Sequence, residues 1–242
     1  MRLDQALVKR ELCESREESQ ECIEKGFVLV DGIVTSKKTK TITSEMQIQV
    51  LQRRKFVSRG GDKLEGVLLR IYLTEELCKK ACKGKTAIDI GSSTGGFTDC
   101  LLSYGVERVT AIDVGTAQFH STLRGDTRIN LFENTDIRNF KTTETFDIVV
   151  ADVSFIALTN ILEVILSFGH NTSEYFLLIK PQFEVGFGNT KKGIVKDQTL
   201  IKKVLESYKK IFLDKKFTSV HVVPCVLQGG DGNQEYFIYL QK

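Results

Sequence analysis

The chain has 242 residues, 41% of them apolar, and its 34 Lys+Arg against 31 Asp+Glu give a formal net charge of +3. That suits one α/β domain with a small companion, and excludes a membrane helix, which needs a run of about 18 apolar residues, and a secretion signal, whose apolar core Met1-Arg2-Leu3-Asp4 does not open. Cysteines 13, 22, 78, 82, 100 and 225 form no C-x-x-C pair and have no histidine at ligand spacing; Cys78 and Cys82 could share a helix face, but the expectation is no metal and reduced thiols in the cytoplasm.

Residues 2–7 predict a short helix with Leu3 and Leu7 on one side. Ser15, with Glu18 three residues on, is a capping-box signature for a second helix over 16–25. Cys22 and Ile23 face inward there, and Gly26 ends the helix. Residues 27–30 read as a strand, Asp31-Gly32 as a two-residue hairpin turn, 33–34 as its return, and 47–51 as one more strand. Residues 1–60 hold 12 basic and 9 acidic groups, while the remaining 22 of each cancel. Within 35–63, eight basic residues (Lys37, Lys38, Lys40, Arg53, Arg54, Lys55, Arg59 and Lys63) meet two acidic ones. Such a segment beside a balanced domain points to a polyanion dock; a solvated charged face is the plain alternative. Two helices, a hairpin and basic residues resemble the S-four-type RNA-binding module, on Arg2-Leu3-Asp4, Ser15-Arg16-Glu17 and Lys25-Gly26-Phe27-Val28-Leu29-Val30-Asp31-Gly32. The alternative is a small capping domain. The resemblance implies RNA contacts from Arg2, Arg16, Lys25, Lys37, Lys38, Arg53, Arg54 and Arg59.

Residues 52–57 are too charged for a core and read as a linker. Val67, Leu68 and Ile71 then mark a helix beginning near Lys63. An apolar run over 86–90 predicts a buried strand, followed by Gly91-Ser92-Ser93-Thr94-Gly95-Gly96 and a helix over 97–104. Glycines there let backbone N–H groups approach a ligand, and a strand, a turn and a helix start form a nucleotide-type cofactor site. The spacing is neither G-x-G-x-x-G nor G-x-x-x-x-G-K-[ST]. Asp89 at the strand's end would repel a pyrophosphate and suit a cationic cofactor, which resembles the S-adenosylmethionine loop of a Rossmann-like methyltransferase. A Gly/Ser surface turn is the alternative.

A second strand over 109–113 ends in Asp113, placed to accept ribose hydroxyls. A third, over 129–132, precedes Asn134-Thr135-Asp136. A fourth, over 146–152, ends in Asp152, with a crossover helix over 158–168. In 175–181 the proline stops ladder pairing, leaving Lys180 at the strand's carboxyl end. A helix over 197–213 and strands over 220–226 and 236–240 follow, and a flexible loop over 229–235 delivers Glu235. His120, His170 and His221 are isolated and receive no role.

Taken together, the chain resembles the TlyA family: an S-four-type module fused to an FtsJ-type ribose 2′-O-methyltransferase. The motifs are Ser58-Arg59 with Lys63-Leu64, residues 89–98, Ala111-Ile112-Asp113-Val114-Gly115, Asp152-Val153-Ser154-Phe155-Ile156, Lys180-Pro181-Gln182-Phe183-Glu184-Val185-Gly186 and Gly232-Asn233-Gln234-Glu235-Tyr236-Phe237. Gly60-Gly61-Asp62 and Gln118-Phe119 depart from the common pattern at non-catalytic positions. The resemblance implies an RNA-binding domain over 1–51, a linker over 52–57 and a Rossmann-like methyltransferase sheet over 58–242. It places the catalytic Lys-Asp-Lys-Glu set on Lys63, Asp152, Lys180 and Glu235, at strand ends. It places S-adenosylmethionine against Asp89, Gly91, Ser92, Ser93, Thr94, Gly95, Gly96, Phe97, Asp113, Asp136 and Asp152.

The residue types fit that chemistry. Methyl transfer to a ribose hydroxyl needs the proton removed and an in-line approach. A lysine can take the proton only when neutral; a second cation and burial favour that form, and carboxylates oppose it. The resemblance implies 2′-O-methylation of cytidine in ribosomal RNA, and a chain opening at Arg2-Leu3-Asp4 and stopping five residues after Phe237 resembles members that modify large-subunit RNA alone. A non-catalytic ribosome-assembly factor and a haemolysin are the other classes; the intact Lys-Asp-Lys-Glu set opposes the first and the absence of a membrane pattern the second.

Overall fold

In the computed structural model, residues 1–52, 54–186 and 188–242 are described. The chain divides into two compact units, Met1–Lys55 and Phe56–Lys242. Phe56, expected in the linker, belongs to the second unit, where it is buried with Leu64 and Leu68 in the core.

In the first unit, α1 (Leu3–Lys9) and α2 (Arg16–Glu24) pack on a three-stranded antiparallel sheet. Its strands, in the order β2-β1-β3, are β1 (Val28–Val30), β2 (Ile33–Val34) and β3 (Ile48–Val50). Leu3, Leu7, Ile23, Val28 and Val30 form the core. Ser15 Oγ accepts the Glu18 N–H at 3.1 Å as the capping signature requires. The Glu18 carboxylate bonds the N–H of Glu14, one residue outside the cap. Asp31 and Gly32 both have positive φ, the turn that matches strand twist in a two-residue hairpin. Cys13, Glu18 and Cys22 bring their ligand-type atoms within 4.8 Å of one another, which their sequence spacing did not suggest. Burial pushes the Cys13 thiol up to about 12.

The second unit is a seven-stranded sheet in the order β6-β5-β4-β7-β8-β10-β9. Its strands are β4 (Thr86–Ile90), β5 (Arg108–Ile112), β6 (Ile129–Phe132), β7 (Phe146–Ala151), β8 (Gly169–Ile179), β9 (Ser219–Pro224) and β10 (Tyr236–Gln241). The first five run parallel, and β10 is antiparallel to both its neighbours. Both faces are covered, so the central strands are apolar on each side. Phe176, Leu178 and Phe237 point to one face, against Leu64 and Leu68 of α3 (Arg59–Tyr72) and Leu101 of α5 (Gly96–Ser103). Tyr175, Leu177 and Ile238 point to the other, against Ile165 of α7 (Leu162–Ser167) and Tyr208 and Phe212 of α9 (Gln198–Asp214). The remaining helices are α4 (Glu75–Cys82), α6 (Ser121–Arg124) and α8 (Pro181–Glu184).

Where one helix was expected over 158–168, the chain forms a 3-10 turn, Leu158–Asn160, and then α7. The break falls at Ile161, whose φ of −124 leaves the helical range, and the Asn160 and Ile161 N–H groups bond three residues back, to the Ala157 and Leu158 carbonyls. Among the described residues no helix is long and apolar enough to cross a membrane.

Candidate active site

Strand order reverses at β4, whose partners β5 and β7 lead to opposite halves of the sheet. A crevice opens at such a point beyond the strands' carboxyl ends. Here it is a cleft of about 570 Å³ lined by Gly91, Ser93, Asp113, Asp136 and Asp152, with Ile112, Ile137, Ile156 and Ile161 as apolar wall. Gly91 has φ +81, and a Cβ there would lie 2.4 Å from the Asp152 carbonyl oxygen. This position therefore needs glycine twice over. The Asp113 carboxylate accepts Ser93 N–H at 2.7 Å and Gly115 N–H at 2.6 Å, which fixes it at the end of β5. Hydrogen bonds from Arg138 hold Asp136 down at about 2.

The rest of the glycine-rich loop shapes the cleft from behind. Asp89 is fully buried, and its carboxylate accepts Thr98 N–H at 3.0 Å and Thr98 O–H at 2.7 Å. Burial, with Asp152 adding to it, pushes its pKa up to about 7. Asp89 thus braces the start of α5, where the sequence suggested direct attraction of a cation. Ser92 is buried, the Thr94 carbonyl accepts His120 N–H, Gly95 (φ +89) packs on Phe119 and Leu123, Gly96 abuts Ser58, and Phe97 lies in the core against Phe237. Fixed carboxylates in an apolar cleft that a glycine keeps open fit S-adenosylmethionine, with its ribose diol, flat adenine and sulfonium charge. Asp113, Asp136 and Asp152 would hold its polar groups, and the isoleucines its ring.

Two ion pairs stand at the same rim. Lys180, following β8, meets Asp152, following β7, at 2.5 Å and donates to Ser154 Oγ at 2.7 Å. Lys63 meets Glu235 at 2.5 Å, with these residues 9% and 2% exposed. Because β10 runs antiparallel to β8, with Tyr236 opposite Ile179, Glu235 enters at the end of the sheet where Lys180 leaves. Lys63 is on helix α3 and not at a strand end, which corrects that part of the sequence reading. Cys225 lies among all four groups, and its thiol is pushed up to about 12 by burial first and then by the Glu235 charge. The loop over 229–235, expected to be flexible, is folded on itself: Gly229 N–H reaches the Asn233 carbonyl at 2.8 Å and Gly232 N–H the Gly229 carbonyl at 2.9 Å.

Sequence reasoning assigned no role to three features of this rim. Phe155 is 91% exposed at φ +66, with the Phe183 ring 5.4 Å away. Glu184 accepts Leu158 N–H at 2.9 Å and the Tyr208 hydroxyl at 2.8 Å, tying the loop after β7 to the turn after Lys180. Asn233 is buried beside Glu235. All three lie inside the motifs named from sequence; what the motifs could not supply was the direction of each side chain.

The expected RNA-binding residues fall into distinct settings. Arg2 and Arg16 both pair with buried Asp4 at 3.0 Å, and their side chains stay 43% and 55% exposed. Lys25 pairs with Glu21, Lys37 is exposed, and Lys38 is exposed with its Nζ 3.7 Å from Glu24. Arg54 is largely covered, bound to Glu21 at 2.5 Å; it is a brace of the first unit, not a presented charge. Arg59 belongs to the second unit and donates to the Gln228 carbonyl at 2.6 Å. Arg53 lies outside the described residues.

The FtsJ-like methyltransferase family matches residues 56–242, and the S4 domain family matches residues 1–48. The chain is 36% identical to Hemolysin A of Brachyspira hyodysenteriae, covering 99% of each protein. It is also 36% identical to the 23S rRNA (cytidine-2'-O)-methyltransferase TlyA of Campylobacter jejuni, covering 100% of each. The 16S/23S rRNA (cytidine-2'-O)-methyltransferase TlyA of Mycobacterium tuberculosis is 36% identical, over 99% of this chain and 89% of that one. Among solved structures, a candidate hemolysin from Streptococcus thermophilus superposes with a TM-score of 0.74 at 32% identity, covering 100% of this chain and 88% of that one.

Proposed function

The chain belongs to the FtsJ-like methyltransferases of TlyA type, and from that premise we propose that it methylates the ribose 2′-hydroxyl of a cytidine in large-subunit ribosomal RNA, in the cytoplasm. The observation that carries this is the pair of lysine–carboxylate contacts at the end of the acid-lined cleft. When bound, S-adenosylmethionine supplies an electrophilic methyl group on a sulfonium. Asp113 and Asp136 hold its polar groups, and the Gly91 turn brings backbone close to it.

Lys180, in the neutral form left once its ammonium has released a proton to solvent, is the group that takes the proton from the 2′-hydroxyl. It reaches Asp152 and Ser154, so its Nζ is aimed by two contacts and needs little reorganisation to meet an incoming oxygen. Lys63, held by Glu235, supplies positive charge for the oxygen as its negative charge develops. Phe155 and Phe183 offer an exposed aromatic face, on which a base drawn out of its stack rests.

The large-subunit preference is supported by the 23S name of the Campylobacter relative. The test is a map of 2′-O-methyl groups on both ribosomal RNAs, from a strain with the gene and one without. We expect one cytidine methyl to vanish from the large-subunit RNA on deletion. Disappearance of a small-subunit methyl would refute the restriction to one subunit. Unchanged methylation of both RNAs would refute the activity.

A further inference from the structure

The turn after α8 carries lysines that take no part in the site described so far. Lys191 and Ile194 form a two-way backbone bridge, at 2.9 and 3.1 Å, around Lys192 and Gly193. Both central residues have positive φ, +53 and +79, which makes a tight hairpin of the primed type. Lys191, Lys192 and Lys196 are all exposed. Residues 191–203 contain five lysines and one acid, Asp197. That carboxylate caps α9, accepting Thr199 N–H at 2.8 Å and Leu200 N–H at 3.3 Å.

A run of lysines is usually only a solvated face; this one is anchored. Asn233, 2% exposed, commits both ends of its amide to the hairpin. Its Oδ1 accepts Val195 N–H at 2.9 Å and its Nδ2 donates to the Gly193 carbonyl at 2.8 Å. Asn233 lies two residues before Glu235, so the loop that delivers Glu235 to Lys63 also holds the basic hairpin. A preformed loop loses less conformational freedom on meeting a ligand than a mobile one.

We propose that Lys191, Lys192 and Lys196 form a phosphate-binding site for the RNA backbone on the methyltransferase unit, fixed by Asn233 at the rim where the ribose reacts. The site rests on the RNA substrate proposed above. It gives the second unit its own grip on the strand next to the modified nucleotide, independent of the first unit.

The test compares the full-length protein with the Lys191→Ala/Lys192→Ala/Lys196→Ala variant and with the matching triple arginine variant. RNA binding is measured by filter retention from about 50 to 200 mM salt, using unmodified large-subunit RNA, and methyl transfer is measured at saturating RNA. In the alanine variant we expect affinity to fall about tenfold or more at low salt and the log–log salt slope to flatten by about 2 to 3. S-adenosylmethionine affinity and kcat at saturating RNA should stay unchanged, and the arginine variant should bind like wild type. An alanine variant with wild-type affinity and slope overturns the site, as does an equal fall in both variants, which would mean shape matters and charge does not. If instead wild type binds the RNA through these lysines but transfers no methyl, the enzymatic reading fails and the site stands.

Discussion

Lys180 and Lys63 are the same residue type in different company. Lys180 donates to Ser154 and pairs with Asp152 at the cleft; Lys63 is buried against Glu235. Guanidinium keeps the charge but is effectively never deprotonated. Lys180→Arg should therefore lose the general-base contribution, typically about 100- to 10,000-fold, in single-turnover methyl transfer, with cofactor and RNA affinities little changed. Lys63→Arg should retain more activity, and a Lys180→Arg enzyme within a few-fold of wild type would leave Lys180 as a positioning residue. Asp113→Ala should weaken S-adenosylmethionine binding in calorimetry without unfolding the sheet, because the carboxylate sits at the rim; unchanged affinity would remove Asp113 from the cofactor site. Asp89 adds a pH effect. Its pKa in the fold is about 7, above the usual 3.8, so the native state holds a proton that the unfolded chain releases. Stability should accordingly be highest below about pH 4 for this group and decline between pH 4 and 7, by an amount on the order of a few kcal/mol. Urea melts of Asp89→Asn should lack that component; parallel pH curves for the two proteins would contradict the buried proton.

At the scale of elements, the site depends on how closely loops approach one another. Gly91→Ala would push a methyl group into the Asp152 carbonyl and force a side chain into positive φ. A cost of about 1–3 kcal/mol and weaker cofactor binding are expected; a thermal melt and calorimetry on one preparation would check both. Glu184→Ala would leave Leu158 N–H and the Tyr208 hydroxyl without their acceptor, at a cost of about 1–3 kcal/mol. It should lower kcat more than S-adenosylmethionine affinity, since the loop it ties carries Ser154 and Phe155. Glu184→Gln, which can still accept, should restore part of the rate, and failure to do so would limit Glu184 to its packing. The seven strands of the sheet were legible because each is an apolar run bounded by polar or breaking residues. The direction of Asp89 was not legible, since a strand-end acid reads alike whether it faces a ligand or a threonine behind the loop. Nor was the division of residues 158–168, where Ile161 leaves the helical range between a 3-10 turn and α7 and the local apolar pattern runs on without a mark of the break.

At the scale of the whole molecule, the basic segment legible in the sequence separates into charges that are presented and charges that are used internally. Neutralising Lys37 and Lys38 should weaken ribosomal RNA binding and flatten its salt dependence, by about 1 in slope for each phosphate no longer bound, with cofactor affinity unaffected. An unchanged salt slope would remove these lysines from the RNA dock. Arg54→Ala should instead lower the stability of the first unit, because it removes the largely covered partner of Glu21 and leaves that carboxylate with Lys25 alone; chemical melts would separate the two effects. Composition could show the excess of charge but not which carboxylates would consume it. The placement of β10 has a consequence in time. It is the last strand in sequence, yet it is inserted between β8 and β9, and the residue just before it supplies the carboxylate for Lys63, 172 positions upstream. During synthesis the sheet therefore remains open on one side, and Lys63 lacks its counter-charge, until nearly all of the second unit has been made. Pairings so distant in sequence form late and slowly. The enzyme thus cannot act on a ribosome while its own last strand is still inside one, and nascent chains arrested before residue 236 should transfer no methyl group.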